Sequence, residues 1–239
     1  MLDSFTVVDL SAPLSPDTVM WPGEEPLVAV DVETHERDGS FSRRVTLGEH
    51  TGTHFDAPVH FAPDGASVDE IPGDRLVVPL RVIDIGGRIG DDPDGELEPA
   101  DVDAHERRHG TIASGCAVFL RTGWDSRRLD RAAYAGSEGR LRFPGFGVAA
   151  ARILVDQRAV VGLGVDTLGI DPGQAHALPV HRYVSLPSGV WHLENLVHLD
   201  AVPAHGAWVV VGVPRVVGAS GFPARVLALV PAAAADGRP

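Results

Sequence analysis

Segment 50–60 of this 239-residue chain, HTGTHFDAPVH, places three histidines and one aspartate within eleven residues. Random placement of the chain's histidines would put about half of one in a stretch of that length. Imidazole nitrogens and a carboxylate oxygen together suit zinc, manganese or iron. The segment therefore predicts a metal site, and this site constrains how the chain can fold around it.

The spacing of these residues requires a turn. Four residues of extended chain span about 13 Å, which is too far for two side chains that bind one ion. Gly52 permits the backbone angles of a turn between His50 and His54, and Asp56 can then supply a third ligand. Pro58 prevents a regular helix from running on to His60. We therefore expect His60 to transfer protons rather than bind the metal. The competing interpretation is a polar turn whose histidines face water.

Composition narrows the class of protein. With 44% hydrophobic residues, the chain can bury one core, and we expect a single domain over residues 1–239. The one cysteine, Cys116, lies in an apolar run and should be a core residue. The net charge is −13, which argues against nucleic acid as a partner. Neither a transmembrane run nor a signal peptide is visible, so we expect no membrane association and a cytoplasmic location.

Valine-rich runs bounded by glycine or proline predict strands. They are Phe5–Leu10, Arg75–Ile85, Cys116–Thr122, Ala159–Val165, Ala207–Val213 and Arg225–Val230. Helical periodicity appears at Arg128–Ala135 and Val148–Arg158, so the chain is predicted to be a strand-rich α/β protein. The acidic segment 86–110 is predicted to be a solvated excursion between two strands, with a lid as the weaker alternative. The tail 232–239 is predicted to fray.

The segment 50–60 fills every fixed position of the pattern His-X-Gly-Thr-His-X-Asp-Ala-Pro-X-His. Further matching segments follow in the same order. They are Trp21-Pro22-Gly23, 120–124, 164–171, Pro179-Val180-His181 and 193–196. In these segments the chain resembles the cyclase family of metal-dependent hydrolases, which includes bacterial kynurenine formamidases and isatin hydrolases.

The resemblance implies a single compact α/β domain with a barrel-like central β core of the swivelling β/β/α type and flanking helices. It also implies a homo-oligomer, dimeric or tetrameric. One or two Zn²⁺ ions would bind, with Mn²⁺ as the alternative. The implied metal ligands are His50, His54, Asp56, His181 and Glu194, with His60 as the catalytic acid/base and Trp21 as a wall of the substrate pocket. Phe55 stands where formamidases usually carry a small residue, so we expect it to contact the substrate as well.

Several of these assignments have competitors in the sequence. His176, His192 and His198 compete with His181, and only the Pro-Val-His context selects His181. Glu194 lies among apolar residues, where either a metal or an arginine could compensate its charge. Asp166 and Asp171 are expected to be structural or orienting acids.

The predicted function is hydrolysis of an amide-type C–N bond in a small carbonyl substrate, namely an aryl formamide, a cyclic amide or an imide. Two alternatives stay open. One is a metal-dependent cyclase or dehydratase acting on a polyketide-like intermediate, and the other is a non-catalytic metal- or ligand-binding protein. A dinucleotide site at Gly162-Leu163-Gly164 has weak support, because the third glycine of the fingerprint is absent.

Overall fold

A nine-stranded mixed sheet is the centre of the fold, and the structure, a computed structural model, describes residues 4–137 and 139–232. Most of the tail that was predicted to fray lies outside these residues. In chain order, the strands are β1 (Phe5–Asp9), β2 (Val28–Glu33), β3 (Ser42–Thr46), β4 (His54–Asp56), β5 (Val77–Asp84), β6 (Glu96–Leu97), β7 (Ala117–Arg121), β8 (Gly145–Phe146), β9 (Gly162–Val165), β10 (Trp191–Glu194), β11 (Ala207–Gly212), β12 (Gly221–Pro223) and β13 (Arg225–Pro231).

The order of strands across the large sheet is β1-β13-β11-β5-β7-β9-β10-β4-β12. The four strands β5, β7, β9 and β10 are parallel, and antiparallel strands flank them on both sides. The sheet curls without closing, since β1 and β12 remain as edges. The predicted barrel-like β core is thus confirmed in the form of a half-barrel. Separate two-stranded sheets pair β2 with β3 and β6 with β8.

The central strands are buried on both faces, which explains why they are continuous apolar runs rather than alternating ones. Along β7, Phe119 belongs to the core inside the curl, whereas Val118 and Leu120 belong to a second core on the outer face. Helical residues such as Val102 and Leu154 cover that outer face. Side chains of adjacent residues therefore serve two different cores.

The helices are short. The α-helices are α1 (His35–Asp38), α2 (Gly86–Ile89), α3 (Pro99–His109), α4 (Arg131–Ala135) and α5 (Val148–Arg152). The π-helices are Ile153–Gln157 and His181–Ser185, and the 3-10 helices are Pro58–His60, Val68–Glu70, Gly73–Arg75, Trp124–Arg127, Leu186–Ser188 and Leu199–Ala201. The two helices predicted at 128–135 and 148–158 are present. Over residues 4–137 and 139–232, no helix has the length and apolar character needed to cross a membrane.

Segment 86–110 is an excursion between two strands, as predicted, since it joins β5 to β7 and much of it is exposed, but its regular structure was missed. It contains α2, β6 and the eleven-residue helix α3, whose buried residues are only Val102 and His105. A helix with so few buried residues shows little helical periodicity in its sequence, and α3 was therefore not predicted. Arginines elsewhere pair with its acids: Arg127 with Asp91, Arg142 with Asp94 and Arg158 with Glu106.

The glycines of β9 explain the Gly-Leu-Gly pattern as a packing feature. A Cβ atom on Gly162 would overlap the Trp191 ring, and one on Gly164 would overlap Phe119. Both rings fill the core inside the curl. Glycine is thus required here because two large aromatic side chains lie against the backbone of β9.

We expect Gly162→Ala to lower the free energy of unfolding by about 2 kcal/mol, because the added methyl group overpacks the core at Trp191. Gly87→Ala is the matched control, since a Cβ there would meet no atom within 4 Å. It should leave stability unchanged or raise it by up to about 1 kcal/mol. Urea unfolding followed by circular dichroism measures both. Equal midpoints for Gly162→Ala and the parent would show that the ring shifts without cost.

Candidate metal centre

The antiparallel pair β4–β10 places four ionisable side chains on one face of the sheet. His192 lies opposite Asp56, and Glu194 lies opposite His54. Because successive side chains of a strand point to opposite faces, these four residues project together. All four are buried. Phe55, Trp191 and Leu193 project to the other face, into the core inside the curl.

The turn before β4 brings His50 to the same place. Gly52 has φ 62°, as the spacing predicted, and a Cβ there would overlap the Leu14 side chain. The turn sets His50 Nδ1 2.6 Å from Asp56 Oδ1, while His54 Nε2 lies 3.1 Å from the same oxygen. Segment 50–56 therefore converges on one carboxylate.

His181 enters from the π-helix that it begins. Its Nδ1 lies 2.6 Å from Asp171 Oδ2, and Asp171 also accepts the backbone N–H groups of Val180 and His181. This anchoring directs His181 Nε2 to within 3.1 Å of Glu194 Oε1 and 3.7 Å of Asp56 Oδ2. Asp171 is thus the orienting acid that the sequence predicted.

Glu194 has no arginine partner among the described residues. Its Oε1 accepts the backbone N–H of Ile170 at 2.8 Å, and its Oε2 lies 3.5 Å from His54 Nε2. Of the two compensations considered from the sequence, the structure therefore favours the metal over an arginine.

Two serines fix the orientation of His50 and His192. The Ser185 hydroxyl donates to the Val180 carbonyl at 2.8 Å, so it must accept the N–H of His192 Nε2, 2.6 Å away. The Ser220 hydroxyl donates to Glu49 at 2.6 Å and must likewise accept from His50 Nε2 at 3.0 Å. In both histidines Nδ1 therefore faces Asp56, and at His50, where Nδ1 lies 2.6 Å from Asp56 Oδ1, a proton or a cation must lie between the two atoms.

His54 and His181 also direct one ring nitrogen toward the centre, but it is Nε2 rather than Nδ1. Each donates its Nδ1–H outward, His54 to the Gly52 carbonyl at 2.9 Å and His181 to Asp171, which leaves Nε2 facing inward. Metal-bound histidines are held in this way by an acceptor on their outer nitrogen.

The strongest sign that the site fits a metal is His192 Nδ1. It is fully buried, has no hydrogen-bond partner among the described residues, and lies 3.7 Å from Asp56 Oδ2. Ligand atoms of Asp56, His181, His192 and Glu194 all lie within 4.8 Å of one another. A buried nitrogen lone pair without a donor is costly, and a cation among these four groups would satisfy it.

The charge balance points the same way. Burial by itself opposes ionisation of Asp56, but His54 and His50 hold the pKa of this carboxyl well below its usual range. Burial also disfavours protonated His54, yet the Asp56 and Glu194 carboxylates raise its pKa to about 9. The two buried carboxylates are therefore stabilised by positive charge at the centre. A divalent ion would supply that charge in place of the imidazole protons.

His60 lies closer to these groups than the sequence suggested. Pro58 starts the 3-10 helix Pro58–His60, which folds the His60 ring onto His50 with 4.0 Å between ring centroids. Ligand atoms of His50, Asp56 and His60 also lie within 4.8 Å of one another. Pro58 thus does not direct His60 away from the centre. Burial, with smaller contributions from His50 and His181, lowers the pKa of His60 to about 4, so its ring is neutral near pH 7.

A cavity of about 240 Å³ lies over the centre. The predicted site residues that line it are Trp21, His50, His54, Asp56, His60, His181 and Glu194, and its other walls are Glu24, Phe61, Leu168, Leu178 and Asn195. Trp21 meets Phe143 edge to face, with 6.3 Å between ring centroids.

Phe55 requires a correction, because its side chain has no exposed surface and packs on Trp191 at 5.7 Å. It lies between His54 and Asp56 on β4, so alternation turns it away from the cavity. The expected contact with substrate is wrong, and Phe55 is a core residue that supports the strand from behind.

The structure also separates the competing histidines. His176 is exposed and does not line the cavity, and His198 directs Nδ1 to the Asp9 carbonyl at 3.0 Å. His181 and His192 both reach the centre. The sequence contained a signal for His192, namely its i, i+2 spacing from Glu194, which places both on one face of a strand.

Comparison with known proteins agrees with this geometry. The family model described as "Putative cyclase" matches residues 8–172. Isatin hydrolase of Roseibium aggregatum is 35% identical over an alignment of 246 positions that covers 95% of this chain and 92% of that protein.

Solved structures are similar over nearly the whole chain. An isatin hydrolase bound to the product analogue thioisatinate has a TM-score of 0.91 at 31% identity and covers 96% of this chain and 94% of its own. Isatin hydrolase A from Ralstonia solanacearum has a TM-score of 0.90 at 33% identity, with coverages of 95% and 93%. The fold and the site are those of a metal-dependent hydrolase. The chain belongs to the cyclase family.

We expect His181→Ala and His192→Ala each to weaken the binding of Zn²⁺ or Mn²⁺ by at least about tenfold, because loss of a group that merely orients a ligand already costs that much. The control is His176→Ala, which should bind like the parent. Calorimetric titration of chelator-stripped protein measures the affinities, with circular dichroism to verify folding. Parent-like affinity in folded His192→Ala would remove His192 from the ligand set.

Proposed function

We propose that the chain hydrolyses the C–N bond of a cyclic amide such as isatin. Membership of the family and full-length similarity to isatin hydrolase make it a metal-dependent hydrolase of C–N bonds other than peptide bonds. The observation that carries the proposal is the convergence of three buried imidazoles, of His54, His181 and His192, on two buried carboxylates beneath a partly apolar cavity. The predicted aryl formamide substrate becomes the second choice, because the similar proteins named above are isatin hydrolases.

One or two divalent ions held by Asp56, Glu194 and the inward-facing histidines would polarise a carbonyl and lower the pKa of a water toward neutrality. The histidine and carboxylate donors suit Zn²⁺, with Mn²⁺ as the alternative. Asp56 presents one oxygen to His50 and His54 and the other to His181 and His192, which suits a carboxylate shared between two ions.

His60 supplies proton transfer in this proposal. Its ring is neutral, lines the cavity and stacks on His50, so it can accept a proton from an attacking water at the cavity floor. The same ring can then return the proton to the departing nitrogen. Trp21, Phe61, Leu168 and Leu178 give the cavity an apolar wall against which a planar ring can lie and exclude bulk water.

Other parts of the proposal are independent of the site. We propose a cytoplasmic homo-oligomer with a small carbonyl compound as its substrate. The alternative of a metal-dependent cyclase or dehydratase predicts the opposite change in product mass, because dehydration removes a water and hydrolysis adds one. A non-catalytic binding protein would turn over no carbonyl compound in the fully metallated state.

A small substrate panel tests the function. Protein loaded with Zn²⁺ or with Mn²⁺ is incubated separately with isatin, an imide, and an aryl formamide such as N-formylkynurenine. We expect ring opening of isatin with the mass gain of one water, and elemental analysis reports the metal content of each sample. Cleavage of the formyl amide alone would make the chain an arylformamidase instead.

We expect His60→Ala to lower kcat by about a hundredfold or more and to retain its metal, because the ring moves a proton without holding the ion. His35→Ala is the matched control, since His35 is exposed on α1 and should leave both quantities unchanged. Turnover and metal content are measured on the same samples. Metal loss in His60→Ala would instead assign His60 to the ligands, which its proximity to His50 and Asp56 allows.

A further inference from the structure

Outside the metal centre, the wall of the cavity carries an acidic side chain and no basic one. None of the described lining residues is an arginine, and the chain contains no lysine. Glu24 lines the cavity in addition to Asp56 and Glu194, and no described side chain forms an ion pair or hydrogen bond with its carboxylate. The wall therefore carries a negative charge that no protein cation neutralises.

Glu24 is exposed to solvent at the edge of the cavity, and its backbone fixes its place there. Its N–H donates to the Trp21 carbonyl at 3.1 Å, which closes a turn over Gly23. Its side chain reaches across to the loop that leads to His50, because a Cβ added to Gly48 would lie 3.1 Å from Glu24 Oε2. The carboxylate thus lies between Trp21 and the turn that carries the first histidine.

The remaining lining side chains offer a substrate anion little compensation. Trp21, Phe61, Leu168 and Leu178 are apolar apart from the indole N–H, and Asn195 already donates its amide to the Gly52 carbonyl at 3.0 Å. A carboxylate on the substrate would have to bind the metal itself, where it would displace the carbonyl that is to be attacked.

We propose that Glu24 restricts the cavity to uncharged carbonyl compounds and repels the carboxylate formed by ring opening. The inference rests on the proposed hydrolysis of cyclic amides and adds a specificity residue to it. In that reaction one water adds, a C–O bond forms and the C–N bond breaks. The nitrogen gains a proton and the new carboxylic acid releases one to solvent. The substrate is a neutral ring and the product is an anion, so the charge of Glu24 weakens binding of the product and not of the substrate.

The size of the effect follows from Coulomb's law. Two like charges about 4 Å apart in a water-like environment change an equilibrium by about fivefold, and more where the cavity excludes water. Because the wall is partly open to solvent, we expect about fivefold and a decrease at high salt.

The experiment compares isatin with an isatin that carries a carboxylate on its benzene ring. The parent, Glu24→Gln and Glu25→Gln are assayed, the last as a control because both glutamates are exposed and only Glu24 lines the cavity. We expect the parent to prefer the neutral ring in kcat/KM and Glu24→Gln to narrow that preference about fivefold. Glu25→Gln should behave like the parent. An unchanged preference in Glu24→Gln overturns the proposal.

A binding measurement separates this inference from the proposed function. The ring-opened carboxylate is titrated calorimetrically into the metal-loaded parent and into Glu24→Gln, which should bind it about fivefold tighter. This result does not require turnover, so it stands even if neither ring is hydrolysed and the proposed function fails. Equal affinities contradict the role of Glu24 whether or not isatin is hydrolysed.

Arg182 could attract an anionic substrate instead. Its guanidinium lies over the ring of Phe61 at 4.8 Å, and Phe61 lines the cavity. If the parent favours the carboxylated ring and Arg182→Gln removes that preference, then the Arg182 guanidinium attracts anions to the cavity and Glu24 does not exclude them. Parent-like selectivity in Arg182→Gln supports the assignment to Glu24.

Discussion

The carboxylate of Asp56 is the constraint on which the centre depends. Its side chain is 1% exposed, with Oδ1 lying 2.6 Å from His50 Nδ1 and Oδ2 lying 3.7 Å from both His181 Nε2 and His192 Nδ1. Removing a carboxylate from water is costly unless positive charge and hydrogen-bond donors replace the water. The turn at Gly52, the β4–β10 pairing and the π-helix at His181 together supply that compensation.

Rigidity of the centre comes from groups that never face the cavity. Ser220, Ser185, Asp171 and the Gly52 carbonyl each hold the outer nitrogen of one histidine. They lie in four separate segments of the chain, so the centre depends on packing of the whole half-barrel. Trp191 and Phe55 fill the core behind the two strands, and the glycines of β9 leave room for Trp191. The core and the site are two faces of the same sheet.

Much of the fold could be predicted wherever a local pattern was strong. The long strands β5, β7 and β11 are apolar runs, because both of their faces or one complete face is buried, and such runs are visible without a structure. The strands β4 and β10 alternate ionisable and apolar residues within three or four positions, which is too short for a periodic signal. Helix α3 was missed for the related reason that it buries only two residues.

The sequence by itself determined the turn at Gly52, the gathering of His50, His54 and Asp56, and the family, since each depends on neighbours within a few residues or on a motif. Only the tertiary structure decided that Phe55 faces the core, that His60 stacks on His50, and that His181 and His192 reach the centre while His176 and His198 do not. Those outcomes depend on the register of β4 against β10 and on hydrogen bonds between distant segments. Residue spacing can indicate which side chains share a face of a strand, but it fixes neither the register nor these hydrogen bonds, because both form only when the sheet assembles.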